Sequence, residues 1–152
     1  MNYKIVIISA LFGALATLQV LAEDTNLRAT LGVNGQGRTV EIKVNGYLIS
    51  NIKGGGAEAV QLYHKDHPWG KDFSPARKHL LCLKEGDNTI YISYSQKDNE
   101  DVENLEVYIM ASGYSQPLLE ATKKKNKVTG TMSGKFVLHS KEPDNFNTEK
   151  LK

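Results

Sequence analysis

Apolar side chains in this chain recur at every second residue. Val40, Ile42 and Val44 alternate with Thr39, Glu41 and Lys43; Ile90, Ile92 and Tyr94 alternate with Tyr91, Ser93 and Ser95; Leu105, Val107 and Ile109 alternate with Glu106, Tyr108 and Met110. Successive side chains of an extended strand point to opposite faces, so this pattern makes strands with one packed and one wet face. The expected strands are 27–33, 38–44, 47–53, 58–63, 79–84, 88–95, 104–112, 117–122 and 127–138.

Turn chemistry falls between these runs. Asn34-Gly35-Gln36-Gly37, Asn45-Gly46 and Gly86-Asp87-Asn88 supply residues that tolerate positive φ, which predicts hairpins near 27–44, 38–53 and 79–95. The prolines Pro68, Pro75, Pro117 and Pro143 lie outside the clean alternating runs, where a missing N–H harms no ladder. Eight to nine short strands without crossover helices make an all-β chain, an antiparallel, jelly-roll-like β-sandwich.

An apolar run from Ile5 to Leu21 follows Lys4 and ends in Val20-Leu21-Ala22 before Glu23-Asp24. A charged start, a hydrophobic stretch and a small-residue end predict a secretory signal peptide over residues 1–22. The alternative is a retained anchor, since a run of this length is near the lower limit for crossing a bilayer. Cleavage predicts a periplasmic or secreted product without a stable membrane span. The domain then covers 23–139, and 140–152 is polar apart from Phe146 and Leu151, which predicts a frayed tail.

Loss of Lys4 takes the formal charge from +2 to +1, a balance that predicts no nucleic-acid partner. One cluster stands out, Lys123-Lys124-Lys125 with Lys127. It reads as a solvated hairpin tip or as a site for phosphate, teichoic acid or anionic lipid. Cys82 is the only cysteine, so no internal disulfide can form; inside Leu80-Leu81-Cys82-Leu83 it reads as a small core residue rather than a nucleophile.

Residues 64 to 78 form an uncommonly long connection, and such loops usually carry function or lack order. This one holds the only tryptophan, Trp69, bounded by Pro68 and Gly70. An exposed indole can stack on a sugar ring, with Asp66, Lys71 and Asp72 to bond hydroxyls and Tyr63 and Phe73 alongside. The competing reading has Trp69 and Phe73 folding back to cap the end of the sandwich. His64, Asp66 and His67, with His79, are weak metal candidates, because in an extended strand His64 and His67 point apart. The stretch Asp98 to Asn104 offers oxygens for Ca²⁺ without the spacing of an EF-hand. No G-x-S-x-G, H-E-x-x-H or P-loop is present, so neither an enzyme nor a cofactor is indicated.

Val44-Asn45-Gly46, Ile49, Gly54-Gly55-Gly56 and Leu83-Lys84-Glu85-Gly86-Asp87-Asn88-Thr89-Ile90-Tyr91-Ile92 together resemble the V-N-G … G-G … L-x-x-G-x-N-x-I-x-I series of galactose-binding-like jelly-roll domains. The accessory sandwiches of bacterial glycoside hydrolases show it. The likeness covers about residues 38–95 and rests on turn and core positions, so it implies a fold and a non-catalytic module, and carries over no ligand residue. The function expected is a secreted or periplasmic binding module, with a glycan or an envelope protein at the Trp69 loop. The alternatives are an envelope subunit that assembles through a strand edge, and more remotely a small metal-dependent hydrolase on residues 64–79.

Overall fold

The computed structural model describes residues 27–53, 55–97, 101–141 and 147–152. The expected leader, and Asp98 to Glu100 of the Ca²⁺ candidate, lie outside them. Nine strands form: β1 (Arg28–Asn34), β2 (Arg38–Val44), β3 (Tyr47–Ile52), β4 (Ala57–Tyr63), β5 (Gly86–Gln96), β6 (Leu105–Ala111), β7 (Leu119–Lys123), β8 (Gly130–Leu138) and β9 (Glu149–Leu151). They build a five-stranded sheet in the order β4-β1-β6-β7-β9 and a four-stranded sheet in the order β3-β2-β5-β8. All neighbours run antiparallel except β7 and β9.

Period-two alternation sets what each face meets. Leu31, Val33, Val107 and Ile109 of the first sheet and Val40, Ile42, Ile92 and Phe136 of the second are buried in one apolar cluster. The chain is an antiparallel-rich β-sandwich, as the alternation predicts. Cys82 belongs to that cluster, and burial pushes its thiol up to about 12. It stays protonated at neutral pH and packs as a small hydrophobe.

Three expectations need correction. Strands β1 and β2 are not a hairpin: β1 pairs with β4 and β6, so Asn34 to Gly37 carries the chain from one sheet to the other. Gly37 is required there, with φ +71 and a would-be Cβ 2.1 Å from the Asp101 carbonyl oxygen. Residues 79–84 are not a strand; Pro75 opens a 3-10 helix over Pro75–Leu80, and only an isolated bridge joins Leu83 to His64. Within the tail, residues 149–151 pair with β7, and Leu151 packs on the core in the space left by Gly134.

The β2–β3 hairpin does form, on Asn45 (φ 47) and Gly46 (φ 82). Its Asn45 side chain also ties the turn to the neighbouring loop. Asn45 Nδ2 donates to the Cys82 carbonyl at 2.7 Å and to Asn88 Oδ1 at 2.8 Å, and Asn45 Oδ1 accepts from the Thr89 amide at 2.8 Å. Asn88, fully buried, donates to the Lys84 and Gly86 carbonyls at 2.8 and 2.9 Å and accepts from the Lys84 amide at 2.9 Å. Buried polar groups are tolerated only when paired in this way. Asn88→Ala takes the side-chain partner from the Lys84 amide and from the Lys84 and Gly86 carbonyls, leaves the Asn45 side-chain amide only its bond to Cys82, and is expected to cost roughly 3 kcal/mol in urea unfolding; a loss under about 0.5 kcal/mol would show that the network contributes nothing.

Candidate functional site

The long connection leaves β4 beside the start of β1 and returns at Leu83. Two backbone bonds close its base: Lys65 N–H to the Leu83 carbonyl at 2.8 Å, and Leu83 N–H to the Tyr63 carbonyl at 3.1 Å. Between these points the chain turns repeatedly. His67 N–H bonds the His64 carbonyl at 2.8 Å, Gly70 N–H the His67 carbonyl at 2.8 Å and Asp72 N–H the Trp69 carbonyl at 3.0 Å, with a 3-10 turn at Gly70–Asp72. Lys78 Nζ reaches back to the Gly70 carbonyl at 3.0 Å.

This excursion gathers four rings outside the sandwich core. Tyr63 is in register with Arg28, on the opposite parity from the buried Leu62 and Ala29, so both side chains project from the outer face of the five-stranded sheet. Tyr63 meets His67 edge-on at 5.1 Å and Phe73 at 4.9 Å between ring centroids, and His67 meets Trp69 at 5.1 Å. These T-shaped contacts satisfy the ring quadrupoles. The Arg28 guanidinium lies 6.0 Å from the centre of the Trp69 ring, and that of Arg77 lies 4.6 Å from Phe73. Phe73 is buried by this cluster and does not join the sandwich core.

Trp69 itself is 52% exposed. Of the two residues that the capping reading paired, Phe73 is buried within the loop's own cluster, while the indole offers a surface to solvent. Asp66, Lys71 and Asp72 are exposed on the same loop, Tyr63 is half-buried, and Phe73 is buried. Arg28 is the member that sequence reading missed, because nothing in the sequence places a strand start against a loop 40 residues on.

The two histidines have a structural task. His64 Nδ1 accepts the Asp66 amide at 3.1 Å and His67 Nδ1 accepts the Trp69 amide at 3.2 Å, which leaves the ring proton on Nε2 in both. A metal at Nε2 would need that proton moved to Nδ1, against a backbone N–H. Among the described residues no three His, Cys, Asp or Glu side chains come together to hold an ion. Of the acidic stretch, Asp101 to Asn104 are described. The Glu103 amide bonds Gln36, and Asn104 Oδ1 accepts the Lys125 amide at 3.0 Å.

A second feature lies further along the same outer face. Gly32 faces Tyr108 in the β1–β6 register, and a Cβ at Gly32 would fall 2.1 Å from Tyr108 Cζ. The ring therefore lies across the backbone of β1 in the gap that glycine leaves, 44% exposed, beside a cavity of about 410 Å³ lined also by Asn34, Ala57, Ala59 and Glu106. A lone glycine inside a strand signals such a close approach, and Gly32 within Ala29 to Val33 carried it.

Comparison of the chain with known protein families, characterised proteins and solved structures finds no match.

Burial holds the His64 pKa below its ordinary value of 6.5, with Asp66 opposing. The unfolded chain therefore binds the proton more readily. The stabilisation is complete above about pH 6.5 and is lost as pH falls toward the lower folded value. Urea unfolding from pH 7.5 to 5 is expected to show this decline, and His64→Gln to flatten it; an identical slope in both proteins would contradict the buried neutral imidazole.

Proposed function

We propose that this chain is a non-catalytic glycan-binding module that works outside the cytoplasm, with the Trp69 indole as the surface on which a sugar ring stacks. One observation carries the reading: the only tryptophan stands half-exposed beside His67 and Arg28, with Tyr63 packed on His67 and Phe73 on Tyr63, instead of being used as core mass. A large apolar ring kept in water at the cost of ordering its neighbours is what recognition requires. Asp66, Lys71 and Asp72 on the loop supply donors and acceptors for hydroxyls. The Lys4-to-Ala22 leader supports export, and the likeness of residues 38–95 to galactose-binding-like jelly-roll domains supports a binding role.

A second reading draws on the free side of β4. Among the described residues no strand pairs with its outer edge, and Ala57–Tyr63 contains neither lysine nor proline to guard it. A partner strand could add there.

Trp69→Ala decides the first reading. Loss of an interface tryptophan is worth about 2 kcal/mol, so affinity for the best sugar of a glycan panel is expected to fall on the order of thirty-fold by titration calorimetry. The melting temperature should move only a few degrees, since exposed positions cost little when truncated. Unchanged affinity, or a collapse in stability, would overturn the proposal. Strand addition would instead appear as dimers in light scattering that Ala59→Pro abolishes.

A further inference from the structure

The lysine cluster is part of a cavity. Lys123, Lys124 and Lys127 meet Lys152, brought in by the parallel pairing of β9 with β7, around a space of about 590 Å³ lined also by Asn104, Glu106, Thr122 and Asn126. Four lysines and one acidic side chain, Glu106, thus line this space. Elsewhere on the same and the opposite sheet, Lys150 is paired with Glu120 and Lys135 with Asp87. Among the described residues, none of the four cavity lysines has an ion-pair partner.

A solvated hairpin tip would leave such side chains on a loose backbone, and this backbone is clamped from within. Arg38 is fully buried, and its guanidinium donates to the carbonyls of Lys127 at 2.7 Å, Glu103 at 3.1 Å, and Val128 and Lys124 at 3.3 Å. The Tyr94 ring lies 5.4 Å from the same group. Two further bonds fix the turn, Lys127 N–H to the Lys124 carbonyl at 2.9 Å and Lys125 N–H to Asn104 Oδ1 at 3.0 Å. Ammonium groups on an ordered frame lose less entropy on meeting an anion, and the buried guanidinium beneath them adds to the positive field.

The neutral lining selects the kind of anion. Asn104, Asn126 and Thr122 offer hydroxyl-bonding groups, and Glu106 accepts from hydroxyls while repelling a bare polyphosphate. Glu106 also lines the cavity beside Tyr108, so the exposed ring and the lysines share one border on the outer face. We propose that the cavity of Lys123, Lys124, Lys127 and Lys152 binds the carboxylate, sulfate or phosphate groups of an acidic polysaccharide. The choice of a sugar polymer rests on the glycan reading above; the anion site rests on the lysines and the Arg38 clamp.

The test uses the full secreted chain in affinity gels containing polygalacturonate, dextran sulfate, neutral dextran or inorganic polyphosphate. The protein is expected to be retarded by at least one acidic polysaccharide and not by dextran, with retardation weakening as salt rises. The Lys124→Gln, Lys127→Gln double variant should lose about ten-fold in affinity, as expected for two screened ion pairs. Its melting temperature should hold, because Arg38 bonds the backbone of these residues and not their side chains. Equal binding by the double variant, retention by polyphosphate alone, or no retardation at low salt would overturn the site. Trp69→Ala in the same gels separates the two proposals: lysine-dependent binding that ignores Trp69 keeps this site and removes the stacking platform.

Discussion

The two backbone hydrogen bonds that join Lys65 and Leu83, and Leu83 and Tyr63, close the base of the long excursion, and the position of every ring in the candidate site follows from them. Closing a loop of this length carries an entropy cost that grows only slowly with added residues, so a short ladder at the neck suffices to hold a large insertion. With the neck fixed beside the start of β1, Tyr63 and Arg28 project from the outer face and the loop folds over them. The result is an aromatic cluster separate from the sandwich core, whose outermost member faces water. Function can then reside in the loop without drawing on the residues that hold the sheets together.

The opposite end of the molecule solves a different problem. A guanidinium removed from water carries a large desolvation cost, and the four carbonyl bonds of Arg38 offset it only because loops from two connections converge there. Among the described residues these acceptors are neutral, so the cation keeps its charge and lends it to the lysine-lined surface above. One outer sheet face therefore runs from an aromatic end near Arg28 to a basic end near Thr122, with Tyr108 between them. A polymer with both apolar sugar faces and acidic groups matches that sequence of surfaces.

Much of this was legible in the residues. Alternation assigned Val40, Ile42, Ile92 and Val107 to the interior, and Asn45-Gly46 specified its hairpin. The same parity that buries Val40 also buries Arg38, a consequence easily passed over because arginine is expected outside. Pairing partners were not legible. A period of two says which face a residue takes and nothing of which strand lies beside it, so β1 read as the hairpin mate of β2 although β4 and β6 flank it. The run Leu80 to Leu83 read as a strand because burial and extension leave the same trace in short apolar segments. The tail misled for the converse reason: one leucine, Leu151, set against Gly134 suffices to dock a short strand that composition calls frayed. In the loop, the sequence located Trp69 and its polar neighbours, while the support from Arg28 depended on tertiary contact.

The account turns on the state of one indole, and a chain with a single tryptophan allows it to be read directly. Intrinsic fluorescence of the purified protein, with acrylamide as quencher and neutral and acidic oligosaccharides as titrants, measures it. The account predicts red-shifted emission that acrylamide quenches readily and that a bound sugar protects. Blue-shifted emission, shielded from acrylamide and indifferent to every sugar, would place Trp69 in the interior and contradict the platform.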